Sequence, residues 1–387
     1  MKTERNQTID IIKGIAIILM VYGHTFGVLR NWVYLFHMPV FFFVCGYCWN
    51  TAHSSSKSKV SDYLFERTKR LLLPYFAVII LVTLLRNCFV EINFYSNNPE
   101  FVHAVQNAPI SQYNVDVLPI RTTFMNCYLA LCFQYEPPQL AGSMWFLYAL
   151  FMVEGVHCIL EYIFAKCKNS RIRTALWMLL FFLLCIIGWA VSMGYGFSLA
   201  IRHRRLPAAY SCLLLGYYYK KLIGKYGTQL QIVRSKIWNR AAFKILFAVV
   251  SCVGLVQLNK YGVVELSEGI ITNPFFLCMC TLLGWIGLKC IAELIPVQSL
   301  KNFFAYIGRH TLSIVMMHLF AFKLFSCCIV WLSSMPSFMI ASYPILFDIS
   351  ETLKIMYTCI GVVFPLLIAR GVETIKASRL KTTNILS

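Results

Sequence analysis

Charge is what this chain has least of. Lys, Arg, Asp and Glu make up 13% of its 387 residues, with 16 acidic side chains against 35 basic ones. A soluble domain carries about twice that charged fraction, so a water-facing globular surface is excluded as the main boundary of the molecule. Long polar linkers and low-complexity stretches are missing, and no internal repeat emerges, which weakens the case for a transporter built from two related halves. Neither a GxxxxGK[ST] phosphate loop nor an HExxH metal motif occurs, and no serine sits in a persuasive nucleophile elbow. ATP-driven transport and metal hydrolysis therefore have no sequence support, and no metal site is expected.

What is abundant is apolar. Hydrophobic residues make up 59% of the chain, and the mean hydropathy is +0.66. Runs long enough to cross a ~30 Å hydrocarbon layer lie near 9–28, 32–50, 71–92, 143–164, 174–193, 207–223, 241–258, 270–291, 310–331 and 354–370. This pattern predicts an all-α, polytopic membrane protein of about ten transmembrane helices, with residues 1–387 forming a single membrane-embedded domain.

Basic residues set its orientation, because cytoplasmic loops retain Lys and Arg during insertion. With both termini cytoplasmic, 25 of the 35 basic residues fall on the cytoplasmic side and eight on the opposite side. The formal charge of +19 is thus mainly a topology signal, for which anionic membrane lipids are sufficient partners and nucleic acid is not required. The first apolar run is too long for a signal-peptide core and is expected to remain as the first span. Most of the 16 cysteines fall inside spans and behave there as small hydrophobes; Cys45 and Cys48 have redox-motif spacing but no βαβ context. The stretch at about 93–142, with five prolines and a mildly acidic balance, reads as an extracytoplasmic loop of functional length.

Lys13 and His24 stand out against this background. Eleven residues apart, they share one face of the first span about 16 Å from each other, and ionisable groups inside hydrocarbon are normally kept for transport, proton movement or catalysis. A proton-coupled secondary transporter using Lys13, His24 and Lys323 around a midplane site is one reading. Acyl transfer is another, since it needs a base near a hydroxyl and a positive or hydrogen-bonding environment for the oxyanion, and a histidine titrating near neutral pH supplies the base.

Five pieces of sequence, in order, favour the second. Arg5-Asn-Gln-Thr-Ile-Asp10-Ile-Ile-Lys13-Gly14 leading to His24, Phe36-His37-Met38-Pro39, Arg67-Thr-Lys-Arg70-Leu-Leu-Leu-Pro74-Tyr75, Met144-Trp145-Phe146-Leu147, and Tyr306-Ile-Gly308-Arg309-His310-Thr311-Leu312-Ser313 with His318 downstream together resemble acyltransferase family 3. These are integral-membrane acyltransferases that include O-acetylases of bacterial surface polysaccharides and fucose O-acetylase-like proteins. The resemblance implies a multi-pass protein of the bacterial inner membrane, with acetyl-CoA as donor substrate, no bound cofactor, and a glycan or lipid-linked glycan as acceptor. It departs at Lys13, where the family commonly has Arg: charge is kept and the two-pronged donor geometry is lost.

The resemblance also implies roles. His24 acts as base or transient acyl carrier, Lys13 attracts or orients the donor, and Arg67 with Arg70, on adjacent turns at a helical start, binds its phosphates. His37, at the start of the second span, is a further catalytic candidate that orients the acceptor or assists proton transfer. Arg202, Arg204 and Arg205 cluster on the outer side against the charge rule, where they suit an anionic acceptor or an oxyanion. Trp145 reads either as an interfacial anchor or as a sugar-stacking platform, His318 as a secondary site, and His310 as mainly structural.

Overall fold

The computed structural model describes residues 6–98, 100–101, 115–195, 201–237 and 240–386, the side chains of 201–202, 226–237 and 376–386 excepted. Among them the molecule is all-α apart from one short antiparallel hairpin, Val264–Glu265 with Ile270–Ile271. Six helical segments are long and apolar enough to cross a membrane: Gln139–Ala165, Ser170–Ser192, Ala241–Leu258, Pro274–Leu294, Thr311–Leu332 and Glu351–Ile375. They coincide with the last apolar runs of the sequence, save that near 207–223. The chain is thus a polytopic membrane protein.

The run near 207–223 lies inside a longer helix, Leu206–Ile237, and the first three runs break or shorten for local reasons. The first is α1, Gln7–Gly23. The second splits into α2, Arg30–Tyr34, and α3, His37–Tyr47. Pro39 has no amide hydrogen and its ring clashes with the carbonyl four residues back, so a helix running through Leu35 is blocked and restarts at His37. The third run begins as α4, Lys57–Arg67, passes through a π turn at Thr68–Leu72 and continues as α5, Leu73–Leu84, before a short α6, Arg86–Glu91. The π turn directly precedes Pro74, whose missing amide would leave an α-helical carbonyl unpaired; wider spacing absorbs the defect. The predicted loop carries its own helix, α7, Ile120–Leu131. Then follow α8, Trp145–Ala165; α9, Ser170–Ser192; α10, Ile201–Arg204; α11, Leu206–Ile237; α12, Ala241–Leu258; α13, Pro274–Leu294; α14, Gln298–Arg309; α15, Thr311–Leu332; and α16, Glu351–Leu386.

Two compact units divide these elements. The first comprises residues 1–16, 31–75 and 145–305, and the second 17–30, 76–144 and 306–387. In the first unit α3 crosses α11 with almost no gap. A Cβ on Gly46 would lie 1.9 Å from the Leu213 carbonyl oxygen, and one on Gly216 2.0 Å from that of Phe43. Small residues at such a crossing let two backbones approach where lipid supplies no hydrophobic drive for association. Phe43 and Tyr47 then stack against Trp285 of α13, each at 4.9 Å between ring centroids. On the outside, only 22% of the apolar window of α9 and 11% of that of α12 is buried within the protein. Exposed Ile245, Leu246, Val249, Val250 and Val253 form a face that lipid must cover.

In the second unit α15 packs along α16, where Ser326 and Tyr357 share a 2.8 Å hydrogen bond. The predicted loop is not a free excursion. Tyr95, Val115 and Leu140 form a buried cluster with Phe320 and Leu324 of α15, and Asn87 exchanges two hydrogen bonds with the backbone of Leu118.

Gly46→Ala or Gly216→Ala is expected to cost about 2 kcal/mol through forced separation of α3 and α11, seen as a lowered thermal midpoint of the detergent-purified protein. Gly224→Ala on the same helix, whose Cβ would meet nothing within 4 Å, is expected to be neutral or to stabilise by up to about 1 kcal/mol. Equal effects at all three positions would contradict the close crossing.

Candidate functional site

The second unit holds a pair of histidines. His24 follows the end of α1, with its amide still bonded to the Met20 carbonyl at 3.2 Å. The turn after it is braced: Phe26 has φ +52°, its carbonyl accepts from Lys354 Nζ at 3.2 Å, and Lys354 is held by Glu351 at 2.8 Å. Gly27 sits so close to the Tyr22 ring that a Cβ would lie 2.2 Å from its hydroxyl, so no larger residue fits there without a shift. The half-buried His24 ring thus has a fixed base, and its centroid lies 5.2 Å from that of His318, tilted by 33°.

His318 is wholly buried on α15. Its Nδ1 lies 2.8 Å from the Ile314 carbonyl oxygen, which can only accept. Nδ1 therefore carries the proton and Nε2 keeps its lone pair in the neutral ring. That Nε2 is buried with no hydrogen-bond partner among the described residues. Ser143 donates to the Val315 carbonyl at 2.6 Å, securing the same turn of α15. One turn beyond His318, fully buried Lys323 donates to the carbonyls of Ile340 and Ser342 at 2.9 and 2.6 Å. The transporter reading needs this ammonium for a substrate; here backbone oxygens occupy it. His310, at the start of the same helix, contacts the Tyr306 carbonyl and Glu373, in keeping with a structural part.

In the first unit Lys13 forms a 3.0 Å ion pair with Asp10, a buried carboxylate one turn before it. His37 is buried, its Nδ1 donates to the Val33 carbonyl at 2.8 Å, and its ring meets that of Tyr34 edge-on. The two arginines expected to act alike lie in different surroundings. Arg67 Nε lies 3.1 Å from the Glu154 carboxylate and 3.0 Å from the Tyr63 hydroxyl, whereas Arg70 lies exposed in the π turn. The adjacent-turn geometry expected of a regular helical start is opened by that turn. Burial and the Glu154 carboxylate push the Tyr63 hydroxyl up, so it remains protonated and able to bridge.

The arginines at 202–205 also separate. Arg205 is buried with its guanidinium 5.0 Å from the centroid of the Trp145 ring, itself only 9% exposed. Arg204 lies against Gly269, whose φ of +71° and close approach admit no Cβ easily. The side chain of Arg202 lies outside the described residues.

Three contributors were not anticipated from sequence: Asp10, Glu154 and Glu161. The signal for the last two was present, because two carboxylates seven residues apart in one apolar run share a helical face and need partners.

A family model described as an acyltransferase domain matches residues 6–369. No curated protein matches the chain.

Removing Arg67 leaves the Glu154 carboxylate buried without its cation. Arg67→Ala is expected to destabilise by about 3 kcal/mol or more, and Arg67→Met combined with Glu154→Leu by much less. Arg70→Ala is expected to stay within about 0.5 kcal/mol. Thermal unfolding in detergent separates the cases, and identical midpoints for Arg67→Ala and Arg70→Ala would refute the buried pair.

Proposed function

The chain belongs to acyltransferase family 3, and from that premise we propose that it transfers an acetyl group from cytoplasmic acetyl-CoA to a hydroxyl of a surface glycan or its lipid-linked precursor. The observation that carries this reading is the imidazole pair His24 and His318, one half-buried and one holding a lone pair on Nε2 inside an apolar helix bundle. Acyl transfer needs such a base next to a water-poor space, where a hydroxyl outcompetes water for the thioester.

The acceptor hydroxyl gives its proton to His24 as its oxygen bonds to the thioester carbonyl carbon. The tetrahedral intermediate then collapses, the carbon–sulfur bond breaks, and His24 returns the proton to the departing thiolate. The products are an acetate ester and free coenzyme A, and atoms and charge balance. His318, with Nδ1–H committed to the helix backbone, orients the acceptor through Nε2. Lys13, on the helix that ends just before His24, contributes positive charge, with Asp10 holding it in place. Exposed Arg70 meets the donor phosphates, while Arg67, committed to Glu154, holds the segment that carries it. Buried Arg205 on Trp145, with Arg202, Arg204 and His37, belongs to the acceptor side. This reading goes with ten spans, cytoplasmic termini and the bacterial inner membrane, the basic residues being distributed accordingly.

The test measures ester-linked acetate on surface polysaccharide in cells expressing the wild type, His24→Ala or His318→Ala at matched membrane levels. His24→Ala is expected to lower turnover at least about 100-fold, and His318→Ala about 10- to 100-fold. Arg70→Ala is expected to raise the KM for acetyl-CoA about tenfold while sparing kcat. Acetylation independent of His24 would overturn the assignment.

A further inference from the structure

A second feature belongs to the first unit alone. It is a cavity of about 200 Å³ lined by the turn after α3, the end of α8, the start of α9 and the middle of α11. Its floor is Glu161, buried and saturated: Tyr217 donates to one carboxylate oxygen at 2.6 Å, and Ser54, at 2.8 Å, and the Trp49 indole donate to the other. Lys221 in turn donates to the Tyr217 hydroxyl. Lys221 and Arg173 line the same space, and both are exposed to solvent.

The charge balance favours an anion. Two cations face one carboxylate that three other donors already satisfy, and the remaining walls offer the hydroxyls of Thr51 and Ser55 and the ring of Trp177. The volume is below the roughly 300 Å³ that a whole drug-sized ligand requires, so the cavity suits one end of a longer molecule. The segments that build it, 51–55, 165–173 and 217–221, are those the distribution of Lys and Arg assigns to the cytoplasmic face. A continuous series of contacts joins it to the other basic site: Glu161 to Trp49, Trp49 to the Tyr63 ring at 5.2 Å, and Tyr63 to Arg67.

We propose that this cavity binds the 3′-phosphate of a coenzyme A thioester, with Arg173 and Lys221 on the phosphate and the hydroxyls of Thr51 and Ser55 beside it. The proposal rests on the donor reading above and adds a subsite to it. Glu161 acts as a positioning residue, since it fixes Tyr217 and the turn at Ser54 and does not itself touch the phosphate.

The full-length protein, purified in detergent, is titrated calorimetrically with coenzyme A and with 3′-dephospho-coenzyme A. Wild type is expected to prefer coenzyme A about tenfold, and Arg173→Gln combined with Lys221→Gln to lose that preference while its affinity for the dephospho compound stays within about twofold. A preference retained by the double variant would overturn the subsite and leave the donor reading standing. Wild type that binds neither compound would overturn both. The single exposed variant Arg173→Gln, expected to lose part of the preference, serves if the double variant does not fold. Repeating the titration in phosphatidylcholine nanodiscs with and without phosphatidylglycerol identifies the other source of phosphate. Coenzyme A affinity unchanged by the double substitution, with loss only of a stabilising response to anionic lipid, would assign the cavity to a headgroup and reject the proposal.

Discussion

A charge removed from water must find a partner, and in a chain this apolar that requirement organises the interior more than any single packing contact. Asp10 is paired with Lys13, Glu154 with Arg67, Glu161 with three donors, and Lys323 with two carbonyls, while Arg205 lies on the face of Trp145. All but the Asp10–Lys13 pair, one turn apart on α1, tie together separate segments of the chain. Glu161 alone joins α8, α11 and the turn after α3, and its neighbour Glu154 joins α8 to the end of α4. The apolar surfaces in between are interchangeable by comparison, since lipid and protein solvate them about equally well.

Against that pattern, an unpaired polar atom in the interior is informative. Among the described residues His318 Nε2 is one, and the centroid of its ring lies 5.2 Å from that of His24. The helix backbone decides which nitrogen of His318 keeps the lone pair, and the braced turn after α1 decides where His24 points. The tautomer of His318 is thus set from outside the pair, by the helix that carries it.

The sequence was most legible where structure is a local sum. Hydropathy over some twenty residues found the long helices, because crossing hydrocarbon depends on little else. It was least legible where one residue interrupts the sum: Pro39 shortens the second run, and the π turn ahead of Pro74 sends Arg67 and Arg70 to different surroundings. Nor does a count of basic residues distinguish an arginine kept for topology from one such as Arg205, buried against an indole. His24 was recognisable from its own span, whereas its partnership with His318 depends on how the end of α1 packs on α15. No spacing encodes that contact. Glu154 and Glu161 were visible as carboxylates inside an apolar run, and only their partners required the structure.

The anchoring of Lys323 bears on which sequence changes this protein can absorb. Its acceptors are the main-chain oxygens of residues 340 and 342, so substituting either side chain leaves the acceptor where it was. Adding or deleting a residue between them moves it. The lysine thus sets the length of this segment and not its letters, which answer instead to the packing of buried Ala341 and Ser342.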